Sequence, residues 1–347
     1  MALVSTSNPA DFAQRVRTIY NPKLLTALQY NLQLAQYGLQ GKYPAAGAAP
    51  TVRFFRPRLA NTTGVGAITE ATTPATLSEV AVGYVDVPLT QRGALAKISD
   101  LVLATDLLDT VKQYTTTMGA DAALDLDTIV RNALVTGLND SNATYTGAYF
   151  ERFGGTANTG TSSTDFTTLV GKAASASNMT RIENMKNITQ LKAAKVPKIN
   201  GKYVAVAPPE IIHDLRQDTT ITAAFQYSDV QSLYKDAQCS LDGAVFVEAT
   251  SPFRETAYKT YAAAGAIYSV IYLGDSAFGV PGLDTAKAGG SPYSPNLMLI
   301  NKADHANPLG LYVQLGWKAL YGAKPLITNV AGEVPHYLQW RGKSTFA

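Results

Sequence analysis

The stretch TVRFFRPRLANTTGVGAITEATTPATLSEVAVGYVDV, residues 51–87, limits what this chain can fold into more than any other. Two strand-like runs, 51–58 and 80–87, flank about twenty residues of Thr, Ala and Gly with hardly any large apolar side chain. Hairpin loops ordinarily hold ~2–5 residues. The alternation of Val80, Val82 and Tyr84 with Ala81, Gly83 and Val85 gives the ribbon two faces. A lone hairpin is marginal in water. The segment is therefore expected to complete its burial on something other than its own body.

The next segment has the opposite character. Ser99 or Asp106 can cap a helix over 106–136, in which Leu107, Val111, Tyr114, Met118, Ala122, Leu126, Ile129 and Ala133 recur every three or four residues. About thirty residues at ~1.5 Å rise make a rod of roughly 45 Å, against a mean helix of ~11–12 residues. Ahead of the ribbon, Leu24, Leu25, Leu28, Leu32 and Ala35 have helical spacing after an Asn21-Pro22 start, and GKYPAAGAAP at 41–50 breaks the pattern. Residues 139–165 read as an exposed polar loop. A second amphipathic helix is expected over 180–196, with Ile182, Met185, Ile188, Leu191 and Ala194 on one side and Pro197 as its stop. KYVAVAPPEIIHDLRQD reads as a buried strand, a Pro-Pro break and a short helix. Further strands are expected at 243–253, within 265–282, and along 311–334 with a bend at Gly-Ala or Lys-Pro. Strands and helices mix without a regular βαβ beat, which favours α+β.

Composition narrows the function classes. Charged residues make up 16% of the chain, low against a usual ~25%, which suits a surface largely buried against other chains. Twenty-nine basic and twenty-six acidic residues leave a formal charge of +3, without the clustered basic stripe of a nucleic-acid binder. The one cysteine, Cys239, excludes an internal disulfide and fits a reducing compartment. The start MALVSTSNPADF lacks the features of a signal peptide, and no uncharged apolar run reaches the ~18 residues that span a bilayer.

A search for chemistry finds little. GDSAFG at 274–279 has the Gly-Asp-Ser context of some serine proteases, but Phe278 stands where the nucleophile elbow needs Gly. None of His213, His305 and His336 lies in a recognisable base motif, so Ser276 reads as a turn residue. Cys239 reads as a small buried hydrophobe. Asp121 and Asp125 share a helix face near Asp127, a spacing that could hold a cation but reads more simply as a solvated face or as ion pairs to another subunit. TGVGAI at 63–68 lacks the third Gly and following helix of a dinucleotide cradle. Arg53, Arg56 and Arg58 interleave with Phe54 and Phe55, as in single-strand nucleic-acid stacking. Glu70, Glu79 and Asp86 mix the charge of the same ribbon, which suits a charge-complementary protein surface better than a phosphate backbone. No enzyme activity, cofactor or metal is expected.

TVRFFRPRLANTTG, ITEATTPA and GALAKISDLV, then ALDLDTIVRNAL and GKYVAVAPPEIIHDLRQD, together resemble a major capsid protein of a tailed bacteriophage. The resemblance is to the N4-like coat-protein family, of the Hong Kong 97-type capsid fold, and runs from about residue 50 to about 330. The resemblance implies an α+β chain with an N-terminal arm at 1–50 and an extended β-hairpin loop at 51–99 lying over an adjacent subunit. A peripheral domain would take 100–196 with its spine helix at 106–136, and an axial domain 197–310. A peripheral-domain return strand and C-terminus would take 311–347. It implies pentamers and hexamers of the chain closing an icosahedral shell around packaged double-stranded DNA, held by loose non-specific contact. Assembly in the host bacterial cytoplasm into a virion, a separate scaffolding protein, a portal and a possible decoration protein complete the expectation, with no membrane. Arg53, Arg56, Arg58, Glu70, Glu79, Asp86 and Arg92 are the candidate intersubunit contacts of the loop. Lys97, the lysine near the loop, lies at its base, so no covalent crosslink is expected. A soluble hydrolase with a site near Ser276 or Asp121/Asp125, or a tail or fibre protein, are the alternatives.

Overall fold

The computed structural model describes residues 34–43, 50–57, 70, 82–101, 110–137, 150–153, 178–218, 240–249, 268–282, 296–300, 309–327, 334–342 and 344. In chain order they form a 3-10 turn Ala35–Tyr37, β1 Leu39–Gly41, β2 Thr51–Pro57, β3 Val82–Pro88, β4 Thr90–Ser99, α1 Thr110–Gly137 and β5 Glu151–Phe153. There follow α2 Arg181–Ala193, β6 Tyr203–Ala207, α3 Pro209–Gln217, β7 Ser240–Leu241, β8 Ala244–Glu248, β9 Tyr268–Leu273 and β10 Phe278–Pro281. The last are β11 Asn296–Ile300, β12 Tyr312–Tyr321, β13 Lys324–Pro325 and β14 Tyr337–Gly342. The chain is α+β. Of the apolar positions with helical spacing ahead of the ribbon, Ala35 is the one described, and it sits in the 3-10 turn.

The largest sheet has the order β5-β14-β9-β6-β8-β7. Its strands β6, β9 and β14 are buried at every residue. Near-continuous apolar runs such as YVAVA follow from having both faces covered. Helix α2 packs on β14 and α3 on β8. Pro208 and Pro209 separate β6 from α3: Pro208 is extended at the N-cap, and Pro209 occupies a first-turn position where a missing N–H costs nothing. β5 lies inside the segment expected to be an exposed loop; it pairs in parallel with β14, and Phe150 beside it is buried.

The apolar face expected for α2 is corrected by the structure. Its buried residues are Glu183, Asn184, Asn187, Ile188 and Leu191, while Ile182 and Met185 are 65% and 47% exposed. Residues repeating strictly every three drift by about 60° per step on a helix of 3.6 residues per turn, so 182 and 191 stand on opposite sides. The polar face is satisfied in part by the sheet: Tyr272 donates to Asn184 Oδ1 at 2.9 Å. Thr180 accepts from Glu183 N–H, the first half of a capping box. Lys195 takes φ 56°, and the N–H of Val196 closes on Leu191 O at 3.1 Å, ending the helix before Pro197.

Helix α1 buries Thr115, Met118, Ala122, Ala123, Leu126, Asp127, Val130 and Leu134. Tyr114, expected in this stripe, is 43% exposed because its position falls just outside that arc. The helix packs on β12, β13 and the 3-10 turn. β12 runs antiparallel between β11 and β4, pairing with β4 from Tyr312↔Ser99 to Tyr321↔Thr90. The strand expected along 311–334 is thus divided: it stops at Tyr321, and β13 is only Lys324–Pro325. The break falls at Gly322, where a Cβ would run into the carbonyl of Pro88.

The segment 51–99 is not one two-stranded hairpin. β2 pairs antiparallel with β3, from Thr51↔Pro88 to Pro57↔Val82. β4 leaves the ribbon and joins the β12 sheet instead. The change of partner comes at Leu89, whose N–H bonds Pro50 O and whose side chain is buried.

Candidate intersubunit surface

Strand alternation sorts the ribbon root into two faces. Val52, Phe54, Val85 and Val87 turn inward and form a small core with Leu89 and Leu326, flanked by Tyr43 and Leu320. The expectation that the ribbon completes its burial on something other than its own body is therefore corrected at its root. The correction has a visible cause in Gly41 and Gly279, whose missing Cβ atoms leave room for the Phe54 ring. Residues 58–69 and 71–81, with Arg58 and Glu79, lie outside the described residues.

The outer face is apolar and exposed. Phe55 is 66%, Tyr84 56% and Val82 55% exposed, and Phe55 stands opposite Tyr84 in register. Arg53 lies beside them. It donates from Nε and Nη2 to the two carboxylate oxygens of Asp86 at 2.7 and 2.8 Å. Its guanidinium also sits 4.3 Å from the Tyr84 ring centroid. The hydrogen bond to Arg53 holds the Asp86 carboxyl below the usual carboxylate range, and the same bond raises Arg53.

The remaining candidates separate. Arg56 is on the inner face, where it donates to Leu326 O and meets Nε2 of His336. Arg92, on β4, lies 3.8 Å from Asp125 of α1. Glu70 is exposed in a turn. The structure thus joins Arg53 to Asp86, sends Arg56 into the body, and links Arg92 to the long helix. Lys97 stands 4.8 Å from the centroid of the Tyr312 ring on the adjacent strand.

The three helix aspartates do not act as a group. Residues two apart on a helix are about 200° apart, so Asp127 faces away from Asp125. It is 3% exposed and accepts from the N–H of Leu34 and Ala35. Sequence reading noted Asp127 only as a neighbour of the Asp121/Asp125 face and missed this role. Nothing local signals a partner 93 residues away.

Ser276 occupies a left-handed turn position, φ 54°, between β9 and β10. The neighbouring His336 cannot serve it as a base. Its Nδ1 is bonded to Asp275 O at 2.7 Å, and its Nε2 is taken by Arg56. His213 lies on α3, 3.9 Å from Asp214. Among the described residues, no three His, Cys, Asp or Glu side chains gather as metal ligands, and no helix is long and apolar enough to cross a membrane.

No protein-family model matches this chain. No curated protein matches it. Among solved structures, the chain is similar to the cyanophage Pam1 capsid asymmetric unit. The TM-score is 0.64 and the identity 16%, covering 92% of this chain and 93% of that one. It is similar to the capsid of Ralstonia phage GP4, with TM-score 0.61 and 15% identity over 89% and 87% of the two chains. It is also similar to a structure from Mycobacterium phage Che8, with TM-score 0.53 and 14% identity over 89% and 90%. The chain shares the fold of the Pam1 and GP4 capsid chains.

Proposed function

We propose that this chain is the major capsid protein of a tailed bacteriophage, of the Hong Kong 97 type and close to the N4-like coat proteins. The observation that carries the reading is the likeness to the Pam1 capsid chain over nearly the full length of both molecules. The exposed Phe55–Tyr84–Val82 face supports it. Flat apolar strand surface is a hazard on a solitary protein, and it becomes a docking surface when a second copy covers it.

On this reading residues 1–50 are an arm, and the ribbon reaches over an adjacent subunit from a root clamped on its own body. The long helix α1 is the spine of a peripheral domain that also takes the β4–β12–β11 sheet, and the six-stranded sheet lies largely in the axial domain. Copies associate as pentamers and hexamers into an icosahedral shell in the virion, built in the host cytoplasm with a scaffolding protein and a portal. The shell encloses double-stranded DNA without gripping it, since strong phosphate contact would demand many more Lys and Arg. The intersubunit role of Arg53, Asp86 and Arg92 is second to the apolar face, because exposed ion pairs contribute only ~0–1 kcal/mol each.

Size-exclusion chromatography with electron microscopy of the full-length chain, alone and with a co-expressed scaffolding protein, tests the proposal. Round shells are expected. A well-behaved monomer under both conditions would overturn it, and tubes would point to a tail protein.

A further inference from the structure

The formal charge of +3 conceals an uneven distribution. Between Glu183 and Glu210 the chain carries Lys186, Lys192, Lys195, Lys198 and Lys202 and no acidic residue, which is more than its whole net charge. All five lysines are exposed. The clustered basic surface that whole-chain charge gave no reason to expect is present on this one stretch.

The fold gathers four of them at the corner where α2 ends. Lys195 occupies the left-handed turn, φ 56°, just after the helix. Asn200 and Gly201, both at positive φ, reverse the chain so that Lys202 N–H bonds Ile199 O at 3.0 Å. Lys198 and Lys202 therefore stand on either side of one tight turn. Lys202 Nζ donates to Ser240 Oγ at 2.8 Å, and a Cβ on Gly243 would meet Lys192 Nζ at 3.9 Å, so both amines reach the β7–β8 turn. Lys198 Nζ lies 5.9 Å from the centroid of the Tyr203 ring.

The neighbouring carboxylates are engaged by other cations. Asp242 pairs with Arg181 at 3.1 Å, and Glu183 is shared by Lys186 at 2.7 Å and Arg152 at 3.5 Å. Asp218 accepts from Arg181 N–H at 3.0 Å. Asp275, exposed and bonded through its N–H to Pro197 O, is one acid set against the four amines. Four like charges on one corner repel one another, and a polyanion relieves them.

We propose that Lys192, Lys195, Lys198 and Lys202 form the surface through which this chain touches the phosphate backbone of duplex DNA. The inference rests on the reading of the chain as the wall of a DNA-filled shell and names the residues of that contact. Protein interfaces deplete lysine and centre on apolar or aromatic anchors. Among residues 192–202 the exposed positions are Lys, Ala, Pro, Asn and Gly, while Val196 is buried and Ile199 half-buried. The exposed Ile182 and Met185 stand roughly 10–15 Å back along α2. Lysine amines are point charges that suit phosphate without reading sequence. Four per copy make a light, salt-sensitive contact, strong only by repetition.

The test is fluorescence anisotropy of a short labelled DNA duplex of mixed sequence, titrated with the full-length chain from about 50 to about 200 mM salt. Wild-type affinity should fall by about a hundredfold across that range. The variant with Lys192→Gln, Lys195→Gln, Lys198→Gln and Lys202→Gln should flatten the slope of log affinity against log salt by about 3–4. A control that removes equal charge elsewhere, at the exposed Lys42, Lys97, Lys318 and Lys324, should keep the wild-type slope. Equal flattening in both variants, or a quadruple variant that binds like wild type, overturns the assignment. So does a poly-glutamate chain that competes as well as DNA at equal charge, which would make the corner a site for an acidic protein. Shells that form while binding ignores the four lysines would sink this inference alone. Binding through the four lysines by a chain that builds no shells would sink the capsid reading alone.

Discussion

Asp127, deep in the twenty-eight-residue helix α1, accepts hydrogen bonds from the backbone N–H groups of Leu34 and Ala35, at 3.3 and 3.4 Å. A carboxylate in an apolar stripe is costly unless donors replace its water. Here the donors are the first amides of a 3-10 turn, which have no partner inside their own turn. The long helix therefore caps the segment that leads into β1 and the ribbon, and each element needs the other.

Asp127→Ala should destabilise the fold by about 1–3 kcal/mol, the cost of leaving buried N–H groups unsatisfied. Asp127→Asn keeps one acceptor oxygen and should cost clearly less. Chemical denaturation measures the difference, and exchange at the Leu34 and Ala35 amides locates it. Equal stability of the two variants would sink this account.

The Arg53–Asp86 bond gives the ribbon root an acid dependence of its own. Asp86 is held below its ordinary value, so its contribution is present above the unfolded value of ~3.9 and is lost as pH falls through the lower folded value. Arg53 is raised from a value already beyond the working range and adds no dependence there. Wild type should lose ribbon-root protection below about pH 4, and Asp86→Asn should not show that additional loss. Parallel acid profiles for the two proteins would exclude the pair as the cause.

Gly279 and Phe54 make a packing test of the ribbon root. A Cβ on Gly279 would lie 2.6 Å from a carbon of the Phe54 ring. Gly279→Ala should cost about 1–3 kcal/mol through overpacking and should loosen β2 more than the six-stranded sheet. Adding Phe54→Leu should recover part of the loss, because the two positions share one space. Additive effects in the double-mutant cycle would contradict the contact.

The outer face tests assembly without touching the core. Phe55 and Tyr84 are more than half exposed. Phe55→Glu and Tyr84→Glu should therefore leave thermal unfolding of the subunit within about 0.5 kcal/mol of wild type. Shell yield by sedimentation should fall at least about tenfold, the effect of losing ~1.4 kcal/mol at a contact. Normal shells from the double variant would remove this face from the interface.

Much of the architecture follows from local pattern alone. The YVAVA run before Pro208-Pro209 announces a doubly covered strand and a new helix, because proline ends one and opens the other. The repeat from Met118 to Leu126 announces a long helix with one buried side. The ribbon's alternation separates Val85 from Tyr84. These are properties of backbone geometry and side-chain period, and both act within a few residues.

Tertiary structure decided what depends on distant partners. Ile182 and Met185 look like a core stripe but are exposed, because the sheet beneath α2 accepts a polar face through Tyr272. Asp127 carries no local sign of its burial, which comes about because two amides from residues 34 and 35 arrive to bond it. β4 continues the ribbon in sequence yet pairs with β12, since backbone hydrogen bonding is indifferent to which strand supplies the edge. Arg56 finds His336 only because β2 and the strand approach of β14 converge on one corner. Periodicity tells a chain which side of an element is apolar; only the assembled neighbours determine which side is covered.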